Sequence, residues 1–318
     1  MNKLVVFLLT LVLAISVSLI TATGCAQGEP KTVTTTTTVT ETATTITITD
    51  DLGREVTIEG IPSKIVSLAP SNTEILYALG LEDKLVAVTE LCNYPEDALS
   101  KEKVGDFSNV DIEKIVVINP DLILAEDLHK HEVIPALERF GFTVIALVPH
   151  NFQEVMDSIM LIGRIAGVEE KAFQIVDDMS KKIKAITDET DKINQEDKPK
   201  VLYVIWHEPI MSVGSDTRIH ELIEKAGGVN IAAVAGEGYP TLALEEIINT
   251  NPQVIMVNDD ISLQFILNES RLAVVDAFVN GQIYGINADL TNRPTPRIVE
   301  ALELMAKMIH PEIFGAAE

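Results

Sequence analysis

The chain is 318 residues long and sets 24 Lys+Arg against 48 Asp+Glu, a formal net charge of −24. That balance excludes a protein that wraps a phosphate backbone, which needs a basic face. At 47% hydrophobic and 23% charged residues the bulk of the chain is globular, with length for two domains of ordinary size.

Asn2 and Lys3 precede an apolar run from Leu4 to Ile20, followed by Thr21-Ala22-Thr23-Gly24-Cys25. A short positive start, an apolar stretch and small residues before a cut site make a secretory signal over residues 1–24. The Ala22–Cys25 end resembles a bacterial lipobox, which implies that Cys25 is lipidated; an uncleaved membrane anchor is the alternative. Either reading puts the protein outside the cytoplasm, tied to the cell membrane, at the cell surface or in a periplasm. With Cys25 lipidated, Cys92 has no partner for a disulfide and reads as a buried or cleft-wall thiol. Residues 25–44 form a Thr-rich tether: twelve of the eighteen residues Thr32–Thr49 are Thr, too polar to fold alone.

The folded body starts near residue 45 with a hairpin: Thr45–Thr49 alternates, Asp50–Gly53 supplies the turn, and Glu55–Ile58 alternates again. An N-terminal lobe over residues 45–150 follows as alternating strands and helices. Strands are expected at Lys64–Ala69, Leu85–Val88, Leu122–Ala125 and Thr143–Leu147, and helices at Ile112–Ile118 and Val133–Phe140. Ser71-Asn72-Thr73-Glu74 reads as a capping box opening a helix Ile75–Leu79 that stops at Gly80. Residues 151–198 hold linking helices. Val168–Lys198 lacks Gly and Pro, and Val168, Ala172, Ile175, Val176, Met179, Ile183 and Ile186 make an amphipathic stripe. About 26 helical residues there would span roughly 40 Å.

A C-terminal lobe over residues 199–318 repeats the alternation. Strands are expected at Val201–Trp206, Val254–Val257 and Ile283–Ile286, and helices at Ile219–Ala226, Leu244–Asn249, Leu272–Val279 and Thr295–Ile309. The halves share a repeat at an offset of 132: Asp111–Ile115 and Asn119–Ile123 match Ala243–Ile247 and Asn251–Ile255, and Phe107 pairs with Tyr239, each six residues before a Glu. The expected fold is therefore α/β, with two Rossmann-like lobes whose central sheets are flanked by helices. One long rigid α-helix joins them and a ligand cleft lies between.

Several segments, in order, resemble the helical-backbone (class III) periplasmic solute-binding proteins of ABC importers, and most closely the cobalamin-binding branch. They are Val66–Glu74, Cys92-Asn93-Tyr94-Pro95, Val104–Asn109, the two Asn-Pro units, Ala226-Gly227-Gly228 and Arg293-Pro294-Thr295-Pro296-Arg297. The resemblance implies a protein that captures a corrinoid and delivers it to a permease dimer, with no resident cofactor and no catalysis. It places Phe107 and Tyr239 as cleft aromatics, suited to the apolar faces of a corrin ring, where core packing is the plainer reading. Tyr94 and Trp206, at strand ends, are further candidates. Arg293 would reach into the cleft while Arg297 makes a structural pair, and Asn72 would donate to ligand unless it only caps its helix. Glu113 and Glu245 would dock on arginines of the permease, although a carboxylate in a helix's first turn also serves the dipole.

Glu126–Glu132 carries His129 and His131, and His150 and His207 lie near strand ends. A His-x-His at a loop-to-helix transition is usually solvated, and Lys130 opposes a cation, so no metal site is assigned. The chain lacks Gly-x-Gly-x-x-Gly after a strand, a Gly-x-Ser-x-Gly elbow and a phosphate loop. A monomer is expected, with no nucleic-acid partner. The alternatives are a haem or ferric-siderophore receptor, against which seven scattered arginines weigh, and a metal-dependent surface enzyme.

Overall fold

The computed structural model describes residues 45–317. The signal segment, Cys25 and the tether lie outside them. Among the described residues no helix is long and apolar enough to cross a membrane.

Strands β1 (Thr45–Thr49) and β2 (Glu55–Glu59) pair antiparallel, with Ile48 opposite Val56. Their alternation turns Ile48, Val56 and Ile58 inward. At the turn the buried Asp50 carboxylate accepts from the N–H groups of Arg54 at 2.9 Å and Ala146 at 3.0 Å, which ties the hairpin to the first sheet.

That sheet contains β3 (Ile65–Ser67), β4 (Leu85–Val88), β5 (Glu102–Lys103), β6 (Leu122–Ala125) and β7 (Val144–Ala146). All are parallel, in the order β5-β4-β3-β6-β7. Helices α1 (Pro70–Ala78), α2 (Ile112–Ile118) and α3 (Val133–Arg139) connect them. Helices α4 (Phe152–Ala166) and α5 (Glu169–Thr190) then lead to the second sheet. It contains β8 (Lys200–Val204), then, after the ribbon of β9 (Trp206–His207) and β10 (Ile210–Met211), β11 (Val229–Asn230), β12 (Val254–Val257) and β13 (Ile283–Gly285). The four sheet strands are parallel in the order β11-β8-β12-β13. Helices α6 (Arg218–Lys225), α7 (Leu244–Thr250), α8 (Asp260–Asn268), α9 (Asp276–Val279), α10 (Ala288–Asn292), α11 (Ile298–Ile309) and α12 (Pro311–Phe314) cover it.

Successive strand residues point to opposite faces, so each sheet feeds two cores. Val66, Ala87, Ile123 and Val144 pack on one side of the first sheet, and Leu202, Val204, Ile255 and Val257 on one side of the second. Their alternates join one apolar cluster. It runs from Ile65, Leu85 and Leu124 through Ile159 and Ile162 of α4 and Ala172, Met179 and Ile186 of α5 to Tyr203, Met256 and Leu302. The stripe read from the sequence thus faces inward, and one apolar cluster joins the two lobes.

The connection differs from a single 26-residue rod. Helix α5 has 22 residues, about 33 Å, and it folds back on α4 after Gly167, whose φ is +75°. The two helices cross at Gly163, where a Cβ would lie 2.3 Å from that of Ala172. Glycine is required by that approach.

Three other expectations change. Helix α1 begins at Pro70 after the extended Ala69, so Ser71–Glu74 lie inside its first turns and form no capping box. Proline fits that first position because its missing N–H has no helical partner there. The segment 272–279 is not one helix, because Val275 is extended between a 3-10 turn, Ser270–Val274, and α9. Helix α11 starts at Ile298 rather than Thr295.

The internal repeat is visible in the backbone. Helices α2 and α7 each have seven residues and end at an asparagine in the left-handed conformation, Asn119 at φ 50° and Asn251 at φ 53°. A proline and a fully buried strand follow in both cases.

Candidate functional site

The carboxyl ends of both sheets open onto one cleft, the position at which open α/β sheets hold ligands. Ala69 and Pro70 follow β3, Glu90 and Leu91 follow β4, Glu126 follows β6, Ile205 follows β8 and Asn258 follows β12. Two adjoining cavities occupy the cleft. One, of about 620 Å³, has walls that include Pro70, Leu91, Phe107 and Glu126 from the first lobe and Asp289 and Arg293 from the second. The other, of about 510 Å³, is bounded by His150, Asp216, Tyr239 and Asn258 among others. Arg218 and Asn292 belong to both.

The two repeat-related aromatics therefore reach the same cleft, one from each lobe. Phe107 rides a tight loop in which Gly105, at φ +95°, pairs with Val110. A Cβ on Gly105 would come within 2.4 Å of the Asn109 carbonyl oxygen. His129 holds that loop from beneath: it is fully buried, its Nδ1 accepts from the Glu126 N–H at 3.1 Å, and its Nε2 donates to the Phe107 carbonyl at 2.8 Å. Their rings meet edge to face at 5.4 Å. Burial keeps the His129 pKa below its ordinary value. The solvated His-x-His expected from the sequence is thus half wrong, since His131 is exposed and His129 is not. Among the described residues no three His, Cys, Asp or Glu side chains gather as a cation would require.

Tyr239 stands beside Gly238, whose N–H donates to Asp216 Oδ1 at 2.6 Å, and it is 60% exposed. Tyr94 and Trp206 lie elsewhere. Tyr94 stacks on Arg297, with the guanidinium 3.7 Å from the ring centre, and lines a side recess of about 280 Å³ with Tyr77 and Pro296. Trp206 stacks on His207 at 4.7 Å, donates to the Glu208 carbonyl at 3.0 Å and lies outside the two cleft cavities.

Asn72 is buried and donates to the Ala125 carbonyl at 3.1 Å, so its side chain is occupied within the first lobe; it caps no helix and lines neither cleft cavity. Arg293 lines the larger cavity, yet its guanidinium is committed to Glu74 at 2.9 Å, Asn93 at 2.7 Å and Asp289 at 2.8 Å. Arg297 meets the other oxygen of Glu74 at 3.3 Å. Cys92 is buried against the hydroxyls of Thr73 and Thr89.

Arg218 is the cleft residue that sequence reasoning missed. Its guanidinium donates to the Pro149 carbonyl of one lobe and, at 2.7 Å, to the Asn292 carbonyl of the other. The available signal was its position: a cation at the first residue of a helix opposes the dipole, so something else must hold it there.

Glu113 and Glu245 are both exposed in the first turns of α2 and α7. Asp111 caps α2 by accepting from the Lys114 N–H at 3.1 Å, while α7 has no side-chain cap.

Two parallel-sheet lobes, one helical connection and a cleft at the carboxyl edges coincide with a match over residues 65–290 to a family described as periplasmic binding protein. The chain belongs to that family. A Bacillus subtilis protein, the uncharacterised ABC transporter substrate-binding lipoprotein YvrC, is 35% identical over 83% of this chain and 85% of its own. The periplasmic vitamin B12-binding protein BtuF of Vibrio cholerae is 31% identical in its crystal structure, covering 78% of this chain and 96% of its own at a TM-score of 0.67. A possible iron-binding periplasmic protein of Staphylococcus epidermidis is 27% identical over 78% of this chain and 99% of its own at a TM-score of 0.70. The protein is thus a periplasmic solute-binding protein of an ABC transporter, a class that takes a small ligand and works with a permease.

Proposed function

We propose that this binding protein captures a corrinoid and hands it to its permease. The observation that carries the reading is the pair Phe107 and Tyr239, which occupy equivalent positions of the internal repeat and line one cleft from opposite lobes. A corrin ring is broad and apolar on its faces, and aromatic side chains bury such faces with little loss of rotamer freedom. Capture needs burial and a few hydrogen bonds, with no covalent step. The vitamin B12-binding relative supports the same ligand class.

Delivery uses Glu113 and Glu245. They are exposed carboxylates on repeat-related helices, away from the cleft lining, and two such charges fix orientation on a two-fold permease. In this reading residues 1–24 are removed, Cys25 carries lipid, residues 25–44 are the tether, and a monomer works on the outer side of the cell membrane.

Titration with cyanocobalamin, haemin and ferric siderophores, followed by absorbance and by Trp206 fluorescence, tests the ligand. Saturable 1:1 binding of cyanocobalamin is expected. Binding of haemin or a ferric chelate with no response to the corrinoid would replace this reading with that of an iron-uptake receptor.

A further inference from the structure

Arg218, Arg293 and the neighbouring Arg297 differ in how their charge is balanced. Arg293 has Glu74 and Asp289, and Arg297 has Glu74, with Glu300 at 3.9 Å. Arg218 has only backbone carbonyls: among the described residues no carboxylate forms an ion pair with it, and Glu126 and Glu154 influence it without contact. Its Nε is buried with no acceptor, as is that of Arg297, but Arg297 has the Glu74 carboxylate to balance its charge. A guanidinium withdrawn from water, unpaired and seated at a helix N-terminus is unfavourable by itself, and an anion placed against it relieves all three costs.

Its location makes that anion a ligand group, since Arg218 alone among the arginines lines both cavities. Glu90, Glu126 and Asp216 also line the walls, with His150 and with Asp289 paired to Arg293, so carboxylates outnumber free cations there. Such a cleft accepts one anionic group at a fixed point and repels a chelate bearing several.

We infer that Arg218 is the specificity residue of this cleft and binds the single anionic group of the captured chelate, which in a complete corrinoid is the phosphodiester of its nucleotide tail. This rests on the corrinoid reading above. Arg293, which the resemblance placed in the cleft, also lines it, but its guanidinium is already paired with Glu74 and Asp289.

The test compares cyanocobalamin with dicyanocobinamide, which lacks the phosphodiester, in titrations of the full-length protein and its Arg218→Gln and Arg218→Lys variants. The protein is expected to prefer cyanocobalamin on the order of tenfold, the scale of one charge-assisted hydrogen-bonded contact. Arg218→Gln should collapse the ratio towards one and Arg218→Lys should keep most of it. A general loosening of the lobes would weaken both ligands together and leave the ratio intact, which would overturn the inference. Equal affinities in the unsubstituted protein would overturn it even if neither variant folds. If neither corrinoid binds, the ligand reading falls, and haemin against its dimethyl ester then decides: a preference for the free acid that Arg218→Gln removes upholds the role of Arg218. Equal binding of acid and ester, or no binding at all, ends it.

Discussion

Glu74 and Arg293 meet across the seam between the lobes at 2.9 Å, although 219 positions separate them in sequence. The Glu74 side chain is only 2% exposed, and its second oxygen faces Arg297. One carboxylate from α1 therefore gathers two guanidiniums from the segment before α11. Together with the apolar cluster that runs through α4 and α5, this contact restricts the travel of one lobe against the other.

Replacing Glu74 by Gln leaves two largely buried guanidiniums short of a counter-charge. Breaking a buried pair from one side costs about 3–5 kcal/mol, which a drop in the urea midpoint should register. The same loss would also widen the cleft, so ligand dissociation should become faster in stopped-flow displacement. A stability matching that of the unsubstituted protein would remove the structural role assigned to this carboxylate.

The buried His129 makes a pH prediction. Its pKa is depressed in the folded state, so between that value and its ordinary value near 6.5 the unfolded chain binds more protons than the native one. Stability from this group therefore rises with pH across that interval and is lost on acidification from neutral. Glu74 and Glu126, whose burial raises their pKa values, act in the opposite sense. The difference between the protein and His129→Gln isolates the histidine: the gap in urea midpoints should narrow between about pH 7 and about pH 5. A gap that stays constant with pH would contradict it.

Phe107→Ala and Tyr239→Ala should each weaken cyanocobalamin on the order of tenfold, from the loss of one buried aromatic face. Both residues lie at the cleft, so thermal midpoints should change little. Isothermal titration calorimetry would separate a lost contact from a destabilised fold. Full affinity in the double variant would take the corrin ring away from these side chains.

Glu113→Ala with Glu245→Ala should leave solution affinity for the corrinoid intact and abolish uptake in cells carrying the cognate permease and ATPase. Both carboxylates are exposed and line neither cleft cavity, and removing a rim carboxylate slows association with a basic partner. Reduced ligand affinity in this variant would place the glutamates elsewhere in the mechanism.

The twin asparagines predict a contrast. Asn119→Gly should be neutral or slightly stabilising, because glycine enters the left-handed region without a Cβ penalty. Asn251→Gly should cost about 1 kcal/mol, since Asn251 Oδ1 accepts from the Asp276 N–H at 2.8 Å and that donor would lose its partner. Thermal melts of the two single variants give the comparison directly.

The sequence by itself determined the strands and short helices. Leu85–Val88, Leu122–Ala125, Val254–Val257 and Ile112–Ile118 have the bounds read from it, because short apolar patterns that end at polar residues are governed by interactions within a few residues. It also determined the duplication, and with it the placing of Phe107 and Tyr239 at corresponding sites. Tertiary structure alone decided where the charges and hydrogen bonds end. Glu74 reads locally as half of a capping box, but the chain brings Arg293 and Arg297 to it from far along the sequence. Asn72 reads as a cap and serves the Ala125 carbonyl. His129 reads as solvated until the Phe107 loop closes over it, and Arg218 reads only as a cation oddly placed at a helix start until two carbonyls from opposite lobes are seen to hold it. Backbone preference is a local property that residue order encodes directly. The partner of a buried polar group depends on which distant segment the fold delivers beside it.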